Sequence, residues 1–382
     1  IPLCIFASEP YVFNKLLAKK AQHLIGLDIG TRYVKAILLE QTKQSTTVLA
    51  IACEPINGNA FAEREVKDYE ALSQALKKVK LSLKTKVKQV VIAVSGPAVI
   101  NKLAYMDDDL TDVELESQIE LEADSLIPYP LEEIYLDFER LAPSTSYSGK
   151  VEVLLSAVHK DMLDSRLTLL NEVGFEPKIS DVEVYALANA LMHFSHKALP
   201  ENDSDTISSD EQSKVKDEVR CCINIGASQM QFCAVTDDKI LYTKEHNFGL
   251  DVLTQDSCSN FNLTRVEYDQ KLVSHSLPEN WQQECYVLFH ANLQQHITRA
   301  IQMYVSASHQ HSPMHLFICG AIGPFPALAD ELAQDLGINV EVFNPLADMQ
   351  SDEKSAKLIT AHGANFAIAT GLAFRSFSPC HI

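Results

Sequence analysis

The spacing of apolar residues divides the chain into alternating strand-like and helix-like segments. From Leu24 to Glu40, "LIGLDIGTRYVKAILLE" reads as a strand, a tight turn at Gly30 and a second strand; "TTVLAIACEPI" (46–56) reads as a third. "DYEALSQALKKVKLSL" (68–83) repeats apolar residues at a helical period through Tyr69, Leu72, Ala75, Leu76 and Val79. "QVVIAVSG" (89–96) is a continuous apolar run closed by a glycine, the pattern of a buried parallel strand. The chain thus opens β-β-β-α-β, a mixed sheet with crossover helices. A short amphipathic helix is expected before it, over 11–22. "LTDVELESQIELEADSLI" (110–127) predicts a helix with Thr111 as N-cap and Glu114 completing a capping box; its six acidic residues suit a solvated face. The segment 151–191 reads strand, helix stopped at Gly174, strand, helix.

After a Ser/Asp/Glu-rich stretch at 199–219, expected to be a flexible loop, the second half repeats the logic of the first. "RCCINIGASQMQFCAVTDDKILYTKEHNF" is again strand, glycine turn, strand, strand. A long helix (284–308), a strand running into "CGAIG" (319–323), a helix closed by Gly337, a strand and a final small-residue helix (363–377) follow. Two halves that each open with a strand, an xIGxx turn and a strand suggest an internal duplication.

At 382 residues two or more domains are expected, and 46% hydrophobic with 22% charged residues fits a globular protein. The formal net charge of −19 repels a phosphate backbone, which argues against a nucleic-acid partner. "KKVKLSLKTKVK" (77–88) is a local basic run, read as a solvated helix end and loop, with anionic lipid or an acidic partner as the alternative. The nine cysteines lie mostly in apolar runs without a CxxC pair, as expected of buried reduced thiols rather than of a disulfide frame or zinc site. The thirteen histidines show no metal-ligand spacing. Opening "IPLCIFASEP" is cut by Glu9 and Pro10 and lacks a basic start, so it is not read as a signal peptide. No apolar stretch approaches the ~20 residues that span a bilayer.

Glycine hairpin turns present several backbone N–H groups to one point and so make anion nests. In "DIGTRYVK", Gly30 permits close approach, Thr31 adds a hydroxyl, Lys35 can neutralise phosphate charge, and Asp28 can hold Mg²⁺ through water. "NIGAS" (224–228) offers a second nest, and "CGAIG" a surface for a nucleoside. Three such turns, in order and in matching halves, point to a nucleotide cleft between two domains.

These residues resemble the actin/Hsp70/hexokinase ATPase superfamily and, more narrowly, the actin-like PilM family of type IV pilus assembly, itself similar to the divisome protein FtsA. The resemblance covers about residues 12–377. It rests on the phosphate turns together with "VVIAVSGPAVINKLAYM", "YTKEHNFG", "LQQHITRAIQMY", "ATGLAFRSF" and, most specifically, the pairing of "IPYPLEE" with "DVEVYAL". It implies an α/β, ribonuclease H-like two-domain ATPase fold. The first domain would comprise 12–104 and a return helix at 181–198, with an inserted subdomain over 105–180; the second would span 220–377 with an insert at about 250–290. ATP and Mg²⁺ are implied in the central cleft. The implied role is a cytoplasmic scaffold at the inner membrane that binds the cytoplasmic tail of PilN, contacts other inner-membrane and motor components, is peripheral to the membrane through its partners, and is compatible with homo-oligomers.

Carried over residue by residue, the resemblance assigns nucleotide binding to Gly30, Thr31, Arg32, Tyr33 and Lys35, to Gly226, Ala227 and Ser228, and to Gly320, Ala321 and Gly323. Three positions depart from the family pattern: Arg32 where a small residue is usual, Asn224 where aspartate is usual on the magnesium side, and "CGAIG" with Ala321 and Ile322 where the adenosine turn is usually less bulky. Losing a carboxylate weakens metal positioning, on which phosphoryl transfer depends, more than it weakens binding by backbone donors. At most a weak ATPase is expected, with a turning-over or filament-forming actin-like ATPase as the alternative. The same scaffold in a related secretion or pilus system is a further reading; secretion homologues usually continue into a transmembrane helix, which the sequence to Ile382 does not contain. Pro128, Tyr129, Pro130, Asp181, Glu183 and Tyr185 are the residues expected to border the groove for the tail.

Overall fold

The structure is a computed structural model that describes residues 23–377 except 43–44, 59, 63–64, 95–98, 145, 196–217, 238 and 309. The helix expected over 11–22, the opening segment and residues 199–217 of the acidic stretch lie outside the described residues.

The first half runs β1 (Ile25–Ile29), β2 (Tyr33–Gln41), β3 (Thr46–Pro55), the short ladder β4 (Phe61–Ala62) and β5 (Glu65–Val66), α1 (Tyr69–Leu83), β6 (Gln89–Val94), β7 (Val99–Asp107), α2 (Asp112–Leu126), β8 (Ile134–Pro143), β9 (Lys150–His159), α3 (Lys160–Val173), β10 (Glu176–Val182) and α4 (Glu183–Phe194). The second runs β11 (Arg220–Ile225), β12 (Met230–Val235), β13 (Ile240–His246), α5 (Leu250–Phe261), α6 (Arg265–Val273), α7 (Val287–Ser308), β14 (His315–Gly320), α8 (Leu328–Leu336), β15 (Asn339–Val342), α9 (Glu353–His362) and α10 (Ala367–Phe374).

Two five-stranded sheets carry the molecule, in the orders β10-β6-β1-β2-β3 and β13-β12-β11-β14-β15. Each is an antiparallel three-strand meander followed by two parallel strands added beside its first strand, so the two sheets share one topology. The duplication expected from the repeated strand–turn–strand openings is therefore real at the level of topology. The continuous apolar runs occupy the centres: β1, β11 and β12 are buried at every residue.

A third sheet, β7-β9-β8, stands apart with its own core of Ala104, Met106, Leu115, Ile119, Val153 and Leu155. Of the segment expected as the insertion, 105–180, the part with this separate core is α2 and the three strands. Helix α3 packs against α1, and β10 closes the first sheet. Helix α2 starts as expected, the Thr111 amide and hydroxyl both donating to the Glu114 carboxylate at 2.8 Å. In α1 the expected stripe is buried at Leu72, Ala75, Leu76 and Val79, but Tyr69, in the first turn, is exposed and lines an open hollow beside α3. The final small-residue segment divides into a 3₁₀ turn (Gly363–Phe366) and α10.

Helices α4 and α10 pack against each other between the two sheets, α10 on β1 and β2, α4 on β12 and β13. Gly371 allows this: a Cβ there would overlap the Ala186 carbonyl oxygen of α4. Beside it, Arg375 grips Asp181 at the end of β10 through Nε (2.7 Å) and Nη2 (2.6 Å), both residues being buried. Replacing Gly371 with alanine gains up to about 1 kcal/mol of helix propensity but forces backbones apart in a filled core, which costs about 1–3 kcal/mol. The expected result is a net loss of stability with lower cooperativity between domains, read by thermal and urea denaturation.

Candidate functional site

The C-terminal ends of β1 and β11 carry the two hairpin turns toward each other. In the first, the Gly30 amide donates to the Tyr33 carbonyl (3.1 Å); in the second, the Gly226 amide donates to the Gln229 carbonyl (2.8 Å). Both closures leave the intervening residues facing one cleft, lined by Thr31, Arg32 and Tyr33 from one turn and by Ala227 and Ser228 from the other. Among the described residues, the backbone N–H groups of Thr31, Ala227 and Ser228 make no hydrogen bond within the protein. Two donor nests with hydroxyls, opposed across a cleft, suit a chain of phosphate oxygens.

Pairing register sets the charge behind each nest. Asp28 and Lys35 are cross-strand partners on β1 and β2, and their side chains form a buried ion pair of 2.6 Å. Burial works against the Lys35 ammonium, but the Asp28 carboxylate and its hydrogen bond prevail, so Lys35 titrates above its ordinary 10.5. The equivalent partners on β11 and β12 are Asn224 and Gln231, joined by an amide–amide hydrogen bond of 2.8 Å. A charged acid–base pair in one half is matched by a neutral amide pair in the other, and each is internally balanced. Gln231 then donates to Glu183 in the first turn of α4 (2.7 Å), tying the second sheet to the helix between the domains.

This places Glu183 differently from the sequence expectation. It lines the cleft and is 5% exposed, so its carboxylate faces the cleft and not an outer surface groove. Asp181 is wholly buried against Arg375, and Tyr185 is buried at the same junction, where burial pushes its phenol up to about 12. Neither has surface to offer a tail in this structure. The reason is that the end of β10 and α4 are packed into the junction between the two sheets. Pro128, Tyr129 and Pro130 are exposed on the separate three-stranded unit, where Tyr129 packs edge-on against His159 (4.3 Å).

The third turn contributes through Ala321, Pro324 and Phe325, which line the cleft; Gly320 and Gly323 do not. Gly320 has φ +98° and lies so close to the Asn224 side chain that a Cβ would stand 2.5 Å from its amide oxygen; its role is to let β14 pass beside the second nest. Ile322 points into the core. Leu250, Leu272 and Val273, from α5 and α6, complete an apolar flank suited to a purine face. Sequence reasoning missed these and Gln231. Gln231 alone had a signal, since it repeats in the second hairpin the position of Lys35 in the first.

For Mg²⁺, the cleft offers Asp28 and Glu183 as hard oxygen donors, while Asn224 offers an amide already engaged with Gln231. With Lys35 on Asp28, a hydrated ion held through its waters fits better than direct ligation.

Matching two-domain topology, interdomain cleft and paired nests define the actin-like ATPase fold. At 12% identity the ethanolamine utilization protein EutJ from Carboxydothermus hydrogenoformans shares it over 97% of this chain and 92% of that one, with a TM-score of 0.50. A solved PilM–PilN type IV pilus biogenesis complex is more similar, with 24% identity, 94% of this chain and 100% of that chain covered, and a TM-score of 0.75. The chain belongs to the type IV pilus assembly protein PilM family, whose profile matches residues 26–377.

The buried pair makes a testable demand. Because Lys35 is held above 10.5 in the folded state, its stabilisation is complete below that pH and is lost as pH rises through the folded value. Lys35→Met leaves Asp28 buried without its cation, at a cost of about 3–5 kcal/mol. Urea titrations across pH 7 to 11 are expected to show an alkaline loss in the wild type that is absent from the destabilised variant.

Proposed function

We propose that this PilM-family chain is a nucleotide-binding scaffold of the type IV pilus inner-membrane assembly complex. ATP with hydrated Mg²⁺ occupies the interdomain cleft, and the cytoplasmic tail of a PilN partner docks on the first domain. The observation that carries the reading is the opposition of two hairpin nests across one cleft, with the Asp28–Lys35 pair behind the first. Thr31 and Ser228 contact the phosphates, Asp28 and Glu183 hold the hydrated metal, and the purine lies toward Ala321, Pro324 and Phe325.

The neutral Asn224–Gln231 pair favours holding over hydrolysis, since the second nest brings no carboxylate to place metal or water. Among the described residues no helix is long and apolar enough to cross a membrane, which is consistent with a cytoplasmic position reached through a membrane-anchored partner.

Isothermal titration is expected to show Mg-ATP binding that falls at least tenfold in Lys35→Ala, with phosphate release barely above background; a protein that takes up no nucleotide ends the reading. For the partner, exposed Tyr129 on the insertion is the residue favoured as an anchor. A peptide of the PilN cytoplasmic tail is expected to bind the wild type, and about tenfold more weakly to Tyr129→Ala. Equal binding to both removes Tyr129 from the groove, and binding to neither, with or without ATP, removes the scaffold reading.

A further inference from the structure

Arg32 sits in the first nest yet its side chain leaves the first domain. Its backbone is fixed, the carbonyl accepting from the Ile56 amide at 2.8 Å. The guanidinium crosses the cleft to Asp251, in the first turn of α5, and has Asp269 of α6 at 3.7 Å. Asp269 is shared with Arg265 at 3.9 Å. Helix α5 is in turn anchored to the second nest, the amides of Leu250 and Asp251 donating to the carbonyls of Gly226 and Ala227 at 3.0 and 2.8 Å. One guanidinium therefore links the first nest to the helices that flank the second.

The contacts are unequal in a way that makes them exchangeable. The Arg32 side chain is 12% exposed, while Asp251 and Asp269 are 42% and 41% exposed. Water readily replaces a partner on carboxylates that open. The Arg32 Nε is buried without a hydrogen-bond partner, so the guanidinium uses only part of its donor set. A phosphate chain in the same cleft presents more charge and accepts the guanidinium fork in two parallel bonds, which two separate carboxylates do not.

Resting on the nucleotide reading above, we infer that Arg32 is a two-position clasp. Without nucleotide it joins the domains through Asp251 and Asp269. With a nucleoside triphosphate its fork transfers to the phosphates, releasing α5 and α6. Asp251 and Asp269 are then internal competitors of the phosphate chain. They lower affinity, and more for the triphosphate than for the diphosphate, because the nucleotide that engages the Arg32 cation more fully bears more of the cost of displacing them. Linkage makes the coupling reciprocal: whatever nucleotide gains from losing the carboxylates equals what the clasp loses to nucleotide.

The test uses the full chain, with Mg-ATP and Mg-ADP titrated calorimetrically and the distance between dyes on α1 and α6 read by single-molecule energy transfer without nucleotide. Asp251→Asn/Asp269→Asn is expected to bind ATP about tenfold more tightly, ADP with a smaller gain, and to widen the nucleotide-free separation. Arg32→Ser is expected to widen it equally and to abolish the gain when combined with the two asparagines. Unchanged or weaker ATP binding in the asparagine variant overturns the clasp. So does a gain that persists without Arg32, since that is simple relief of charge repulsion. A wild type that binds no nucleotide overturns the cleft reading and the exchange with it, whereas normal wild-type binding with inert asparagines overturns the exchange alone.

Discussion

The crossing of α4 and α10 is the constraint on which the rest of the molecule depends. Both helices are buried on nearly every side, and their backbones meet where Gly371 has no Cβ to keep them apart. The Asp181–Arg375 pair locks the same junction to the end of the first sheet. A buried pair of this kind adds little net stability but tolerates few alternative geometries, because either charge alone would be left desolvated. With the helices held at one separation, the two sheets can meet in only a narrow range of angles, and the ends of β1 and β11 converge on one cleft.

Within that frame the two nests are built alike and charged differently. Cross-strand register places the side chains at positions two before each turn glycine opposite those five after it, so whatever stands at one must be balanced by the other. The first half uses aspartate and lysine, the second asparagine and glutamine. An aspartate at 224 opposite Gln231 would be a buried charge with only an amide to meet it, next to Glu183. The loss of the acid and the presence of the amide partner are thus one electrostatic solution, and it leaves the nest's backbone donors untouched.

Glu183 and Arg32 are where tertiary geometry reassigns chemistry. Glu183 lies on the helix packed between the sheets, so its carboxylate faces the cleft and not the outer surface. Arg32 belongs by sequence to the phosphate turn, yet its length carries it across to the other domain's helices. Neither outcome follows from local pattern, because each depends on how the two halves pack against one another.

Element types were legible in the chain because they follow from short-range periodicity. The alternating and continuous apolar runs marked every strand of the two main sheets; Thr111 with Glu114, and Gly174 and Gly337 with positive φ, marked helix ends. The repeated hairpin openings disclosed the duplication and the paired turns, since a glycine turn between apolar strands is a local object. Tyr69 was misplaced on a buried face because periodicity does not say how closely a neighbouring helix, here α3, covers a given turn. The apolar flank of the cleft from α5 and α6, the burial of Asp181, the close approach of α4 at Gly371 and the reach of Arg32 were not legible. Each depends on contact between residues tens to hundreds of positions apart, and such contacts are set by the packing angle of two domains, which no local spacing encodes.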